Sequence, residues 1–203
     1  MSFAKWIPVA LFSTLLTANA QNIQITEQAA PIVYETKADL PTPASLIAEI
    51  ISSDYRRLGD EFAKQEQLQA LKPVITKKIE DAKKATSFSV IVDTLLEEYN
   101  FEMGGFPSSV SSSSYIPFNR YAVRFSNPEE LSYILVPLEQ AKSWAPSLQR
   151  SRICTRTYTG TVDRCMEETL NRSPYKVIYL KVSEIKLEPK GVPPMTYKVQ
   201  TSK

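Results

Sequence analysis

The stretch Cys154 to Cys165, CTRTYTGTVDRC, contains both cysteines of the 203-residue chain and decides how its C-terminal half is expected to fold. Threonine, tyrosine and valine favour β-strands, and Gly160 tolerates the positive φ that a tight hairpin turn needs. A turn at 159–160 places the two cysteines opposite each other. The sequence therefore predicts a β-hairpin stapled by a disulfide between Cys154 and Cys165.

The same register brings oppositely charged side chains together. Arg156 falls opposite Asp163, and Arg152 falls opposite Glu167, whereas a slip of one residue would separate both pairs. A redox role for the cysteines is the alternative. Their spacing is not C-x-x-C, and no helix N-terminus is predicted nearby to activate a thiol. We therefore expect the disulfide to be structural.

The first twenty residues have the zones of a cleavable secretory signal peptide. A short basic start precedes eleven apolar residues from Trp6 to Leu16, and a small-x-small sequence follows at 18–20. A membrane span needs roughly 20 apolar residues, so this run is too short to be an anchor. We expect residues 1–20 to be removed and the mature protein to be periplasmic or secreted, with no transmembrane segment.

The composition excludes several classes of function. The chain has no histidine, which excludes Ser-His-Asp hydrolysis, Cys-His proteolysis and metal sites built on imidazole. None of its five glycines lies in a phosphate-binding pattern. The 24 basic and 22 acidic side chains nearly balance, which argues against a nucleic-acid partner. We expect no catalytic residue, no metal and no cofactor.

Periodicity and proline positions divide the mature chain into four parts. Residues 21–41 are predicted to be an extended leader, 42–86 a helical segment, 87–192 an antiparallel α+β domain, and 193–203 a C-terminal tail. A first helix is expected to start at Thr42-Pro43. Gly59-Asp60 either ends this helix and caps a second one, or the two form one continuous helix. Pro73 is expected to kink or split that second helix.

The β-rich part has three local predictions and one ambiguity. Leu138 to Leu148 is expected to form a short helix with Trp144 inward, and residues 99–103 a strand. Near Ser183-Glu184 the apolar alternation changes parity, which predicts a β-bulge. Residues 88–96 fit a helix or a strand equally well. The fold class is therefore α+β, with an N-terminal helical hairpin packed on a mainly antiparallel sheet.

Two groups of residues are candidate contacts for a partner or ligand. A serine-rich loop runs from 106 to 118, and its aromatic side chains suit an apolar partner. Arginines concentrate in the same half of the chain, and their guanidinium groups suit carboxylate or phosphate groups. The candidates are Phe106, Tyr115, Phe118, Arg120, Arg124 and Arg164.

Two patterns resemble catalytic sets without predicting one. Ser183 and Lys186 have S-x-x-K spacing, but a strand sends the two side chains to opposite faces. Glu97, Glu98 and Glu102 form a carboxylate cluster of the kind that glycoside hydrolysis uses. Such clusters are usually solvated, so a hydrolase acting on glycans is the least favoured hypothesis.

The leading hypothesis is a non-enzymatic protein of the cell envelope or extracellular space that binds another protein or has a structural role. A chain able to build a core but lacking a catalytic set motivates it. The alternative is a carrier or sensor of a small apolar or amphipathic ligand, held between the helices and the sheet. An enclosed cavity there would favour the carrier, and an exposed apolar patch would favour the protein partner.

Overall fold

The computed structural model describes residues 22–200, so the expected signal peptide lies outside the described residues. Within this range the chain forms five α-helices and nine β-strands, and the fold class is α+β, as expected. No helix between residues 22 and 200 combines the length and apolar character needed to cross a membrane. The helices are α1 (Ala30–Tyr34), α2 (Ala44–Ile51), α3 (Ser53–Arg57), α4 (Glu61–Lys83) and α5 (Leu138–Leu148).

Seven of the strands form one sheet in the order β1-β2-β7-β8-β5-β4, and β9 pairs with the free part of β8. Four of its pairs are antiparallel, whereas β1–β2 and β5–β8 are parallel. β3 and β6 form a separate antiparallel pair. The strands are β1 (Asn22–Gln24), β2 (Ser87–Leu95), β3 (Gly105–Pro107), β4 (Ile116–Phe118), β5 (Tyr121–Phe125), β6 (Tyr133–Leu135), β7 (Ile153–Leu170), β8 (Ser173–Pro189) and β9 (Met195–Lys198).

The predicted disulfide hairpin is wrong, because β7 continues through Gly160 as a single strand. Cys154 and Cys165 therefore lie on the same strand, about 36 Å apart at roughly 3.3 Å per residue. A disulfide needs Cα atoms within about 7 Å of each other. Both thiols are free and buried, and the predicted charge pairs across the hairpin are absent from residues 22–200. In the register of the two strands, Arg156 instead lies opposite Leu187 of β8.

Gly160 has a different role from the predicted turn. A Cβ atom at this position would lie 1.9 Å from the Lys181 carbonyl oxygen, so only glycine allows β7 and β8 to approach this closely. The strand register shifts at the same point, which leaves Ser183 as an extra residue and confirms the predicted β-bulge. The turn that connects β7 to β8 lies at Asn171-Arg172, where both residues have positive φ.

Local signals located α2, α4 and α5, but not α1, which lies in the predicted extended leader, nor the break at Ser52 that separates α2 from α3. Asp60 caps α4, because its carboxylate accepts a hydrogen bond from the Ala63 N–H at 2.7 Å. α4 continues through Pro73, so the expected split does not occur. α5 spans the predicted residues with Trp144 fully buried, and the ambiguous stretch 88–96 is strand β2. The predicted strand at 99–103 is instead a turn.

Three hydrophobic clusters hold these elements together, and the smallest consists of Ala122, Leu170, Val177 and Tyr179. The main core lies between the sheet, α1 and α5, and it includes Trp144, Tyr121, Ile178 and Leu187. A smaller cluster joins the helices to one another. It consists of Ile32, Ile47, Ala48, Tyr55, Ile75 and Ala82.

Candidate functional site

A tight turn at residues 100–105 holds two large apolar side chains in solvent. The backbone N–H groups of Asn100 and Gly105 each donate to the other residue's carbonyl, at 2.8 and 3.2 Å. The Asn100 side-chain oxygen accepts a further bond from the Met103 N–H at 2.9 Å, and Gly104 supplies the positive φ that the turn needs. Phe101 is 77% exposed and Met103 51% exposed. Their exposure is therefore fixed by a hydrogen-bonded turn.

A ladder of aromatic rings connects the exposed Phe101 to the main core. Phe101 packs edge-on against Tyr99 with ring centroids 5.3 Å apart, and Tyr99 packs edge-on against Phe106 at 5.2 Å. Phe106 stacks on Trp144 at 6.0 Å. The Tyr99 hydroxyl donates to the Val136 carbonyl at 2.8 Å, which fixes the middle ring. The exposed Phe101 ring therefore packs on the half-buried Tyr99 ring, which in turn packs on the buried rings of Phe106 and Trp144.

A groove of about 570 Å³ lies between this ladder and helix α5, and we call it the α5 groove. The small side chains Ala141 and Ala145 lie one helical turn apart on the α5 side, and Leu148 extends the apolar floor. Alanine leaves room for a large side chain from another molecule. The arrangement can accept an apolar side chain.

The rim of the α5 groove carries charged groups. Arg152 pairs with Glu98 at 3.7 Å, and both side chains are largely exposed, so this pair contributes little stability. The Arg150 Nε donates to the Pro146 carbonyl at 3.3 Å. Among residues 22–200 Arg150 makes no ion pair. Its guanidinium therefore remains available to a carboxylate of a partner.

The predicted aromatic contacts serve the fold of the serine-rich loop. Phe106 is only 2% exposed, and Phe118 packs against the main core from β4. The Tyr115 hydroxyl accepts a hydrogen bond from the Asn171 side chain at 2.7 Å, and its ring lies 5.8 Å from that of Tyr175. Phe106 anchors the first end of the loop on α5 through Trp144, whereas Tyr115 and Phe118 anchor the other end on the main sheet.

Two arginines fasten the same loop by its backbone. Arg156 is 1% exposed and donates to the Ser108 carbonyl at 2.7 Å and to the Leu95 carbonyl at 3.2 Å. Arg124 donates to the Ser112 carbonyl. The loop is therefore tied to both the interior and the outer face of the sheet, which explains why so many serines still form a defined structure.

Two of the three predicted arginine contacts, Arg124 and Arg164, lie at the Tyr179 ring, whereas Arg120 does not. Arg124 pairs with Glu168 at 2.6 Å, and the Tyr179 hydroxyl donates to the same carboxylate. Burial, followed by this hydrogen bond, raises the pKa of Tyr179. The Arg164 guanidinium lies 4.2 Å from the centroid of the Tyr179 ring. Arg120 lies elsewhere, beside the helices.

The residues of the two catalytic patterns are engaged separately. Ser183 donates to the Thr159 carbonyl at 3.4 Å, whereas Lys186 pairs with Glu188 at 2.9 Å. Glu97 accepts a bond from the Ser109 hydroxyl, and Glu98 faces Arg152. In the described part of the chain no three His, Cys, Asp or Glu side chains are grouped to hold a metal ion.

The sequence interpretation missed Phe101 and Met103. Their alternation with polar residues resembled a strand, so the side chains were expected to be partly covered. A signal for the turn was present, because Asn100 favours side-chain turns and Gly104-Gly105 follows it directly. The floor of the α5 groove had no local signal, since it forms only when α5 packs beside the turn.

Comparison with known proteins gives one match. Residues 49–146 match a family described as a domain of unknown function (DUF4852). The matched part begins in α2 and ends in α5, so it includes the turn at 100–105 and most of the α5 groove. No curated protein and no solved structure matches the chain.

Proposed function

We propose that the chain is an exported, non-enzymatic protein that binds another envelope or extracellular protein through the α5 groove. One observation carries the proposal: a hydrogen-bonded turn holds Phe101 and Met103 in water beside an apolar groove. Contiguous exposed apolar surface is characteristic of interaction sites. Aromatic residues and methionine are also enriched where protein surfaces meet.

Another exposed aromatic residue of the molecule provides the contrast. Phe62 is 87% exposed near the start of α4, and no other large exposed apolar residue lies within a helical turn of it. Single exposed apolar side chains are ordinary on protein surfaces. Phe101 differs because Met103, the ring ladder and the groove adjoin it.

The charges and shape of the groove favour one kind of partner segment. Its apolar floor at Ala141 and Ala145 accepts a large apolar side chain, and Arg150 offers a guanidinium without an ion pair. A segment with an apolar residue close to an aspartate or glutamate satisfies both features. We therefore propose a partner of acidic and apolar chemistry, with Phe101 as a central contact.

Selection of displayed peptides tests this proposal. Random peptides on phage are selected against the mature protein, and the recovered sequences are compared with those selected on Phe101→Ser. Peptides recovered on the wild type are expected to combine leucine, phenylalanine or methionine with aspartate or glutamate. They are expected to lose binding to both Phe101→Ser and Arg150→Glu, because these changes remove the apolar contact and the positive charge.

Phe62→Ser is the matched control, since it also removes an exposed phenylalanine and is expected to leave peptide binding unchanged. Thermal unfolding checks that each variant folds. Recovery of the same peptides on Phe101→Ser would contradict the proposal. A dimer of this chain that Phe101→Ser dissociates would also contradict it, because the groove would then bind a second copy.

The proposed export rests on the sequence of residues 1–20. Expression with these residues in a secreting host, followed by mass measurement of the purified protein, tests it. The expected mass corresponds to a chain beginning at Gln21. A cytosolic product that retains Met1 to Ala20 would refute export and leave the α5 groove proposal standing.

A further inference from the structure

A second cavity, of about 310 Å³, is lined by charged residues of both signs, and we call it the charged cleft. It opens between the helices α2 and α3 and the ends of β5, β7 and β8. The two cavities share no lining residue. Its volume is at the lower end of the roughly 300–1,000 Å³ typical of small-ligand sites. The central lining residues are Thr42, Glu49, Ile50, Arg56, Arg120 and Tyr121.

A buried hydroxyl without a hydrogen-bond partner lines the charged cleft. Thr42 is 7% exposed, and its N–H donates to both carboxylate oxygens of Glu35 at 3.1 Å, which fixes the residue in place. The Thr42 hydroxyl lies close to the Tyr121 phenol but completes no hydrogen bond with any group of residues 22–200. The hydroxyl oxygen has almost no accessible surface, so Thr42 forms part of the wall of the cleft and its hydroxyl does not reach a molecule bound there.

The cleft also has charged groups of both signs that lack partners. Lys176 is engaged, because it pairs with Glu167 at 3.2 Å and lies 4.8 Å from the Tyr34 ring centroid. In contrast, four charged lining residues make no ion pair within the described range. They are Glu27, Glu49, Arg56 and Arg120.

Apolar surface lies between these charges. Leu46 and Ile50 face the cleft from α2, and Tyr121 and Tyr175 face it from the sheet. Burial raises the pKa of Tyr121 to about 12, and the smaller effect of the Thr42 hydroxyl opposes it. The Tyr121 phenol is therefore neutral at physiological pH and provides an aromatic wall.

We propose that the charged cleft binds a small zwitterion, a molecule with one carboxylate and one ammonium group on an apolar body. Arg56 and Arg120 contact the carboxylate, and Glu49 and Glu27 contact the ammonium. The apolar body lies against Ile50 and the Tyr121 ring. Free apolar amino acids and short peptides with free ends share this chemistry.

Calorimetry with matched ligands tests the proposal on the mature protein. The zwitterions are L-phenylalanine and the dipeptide alanyl-phenylalanine, which distinguish a free amino acid from a peptide. The analogues 3-phenylpropionate and 2-phenylethylamine each keep the ring and one of the two charges. We expect at least one zwitterion to bind and each single-charge analogue to bind about ten-fold more weakly or worse.

Matched variants then locate the site. Arg56→Gln is expected to weaken zwitterion binding by about ten-fold, whereas Arg57→Gln, the neighbouring exposed arginine outside the cleft, leaves it unchanged. Absence of binding by both zwitterions at millimolar concentration, or equally tight binding of a single-charge analogue, overturns the proposal. Equal effects of Arg56→Gln and Arg57→Gln overturn it as well.

Discussion

The sheet and the helical layer of this protein are packed to very different degrees. In the described part of the chain the main core contains twenty-five buried residues, whereas the helical cluster contains six. α4 is 23 residues long but buries only Ile75 and Ala82. Because buried apolar area is the main source of stability, the sheet is expected to set the global stability and the helices to open at lower free energy.

The two proposed binding sites differ in which of these regions forms their walls. The α5 groove is built on the main core, so its shape is expected to change little on binding. The charged cleft has α2 and α3 as one wall and the sheet as the other. Ligand binding there can therefore shift the helical layer relative to a sheet that stays folded.

The largest expected effect comes from truncating the main core at Trp144. This side chain is fully buried and stacks on Phe106. Trp144→Ala is expected to lower the free energy of unfolding by about 3–5 kcal/mol, measured by urea denaturation. Leu138→Ala, at a 40% exposed position of the same helix, is the control and should have a much smaller effect. Equal effects would mean that the main core does not carry the stability.

A smaller and more local effect is expected in the helical layer. Ile75 is 3% exposed, and Ile75→Ala is expected to cost about 2–4 kcal/mol. Hydrogen exchange should show faster exchange in α2 and α4, with β7 and β8 still protected. Val74→Ala, at the adjacent 46% exposed position, should change neither the free energy of unfolding nor the exchange rates in α2 and α4. Loss of protection throughout the molecule would show that helices and sheet unfold as one unit.

A weaker effect on stability is expected at alkaline pH. It arises from two buried tyrosines where the sheet and the helical layer meet. Burial raises the pKa of Tyr34 and of Tyr121 to about 12, against about 10 for an exposed phenol. The unfolded chain therefore loses these protons first as pH rises. Stability is fully present below about pH 9 and falls as pH approaches 12.

Urea midpoints measured between neutral pH and pH 11.5 check this pH dependence. Tyr121→Phe removes one of the two phenols and is expected to flatten the alkaline decline. A midpoint that stays constant up to pH 11.5, or a variant with the same decline as the wild type, would show that the phenols titrate alike in both states.

The smallest expected effect is that of a reductant on the main core. Cys154 and Cys165 are free thiols, so dithiothreitol should leave the unfolding temperature unchanged. Burial raises the pKa of Cys165 to about 12, which further suppresses its reaction in the folded protein. A thiol reagent should count two thiols after denaturation and none before it. A lower unfolding temperature under reduction would indicate that Cys154 and Cys165 do form a disulfide.

Some features were predictable because their causes are local. Pro137 and the apolar spacing that follows it define α5, and the parity change after Val182 located the bulge. Asp60 was recognisable as a helix cap from its position after Gly59. In each case the residues that determine the structure lie within a few positions of the feature.

The errors arose where the cause lies in a distant segment. Gly160 suits a tight turn, but it also suits close approach of another strand, and only Lys181 on β8 distinguishes the two. The spacing of the two cysteines is compatible with the turn and therefore does not distinguish the alternatives either. Neither proposed site is predictable from local sequence, because each is lined by residues that are far apart in the chain. The charged cleft is lined by Arg56 and Arg120, and the α5 groove by Phe101 and Ala145.

The continuous ribbon of β7 and β8 has a consequence for the order of folding. Its two strands are joined by the two-residue turn at Asn171-Arg172, so they can pair without closing a long loop. β1 must instead find β2 across 65 positions. Contacts between distant segments form slowly, so the ribbon is expected to assemble early and to serve as the template for β2 and β5. The strands that precede the ribbon in the chain thus depend on a part that is synthesised after them.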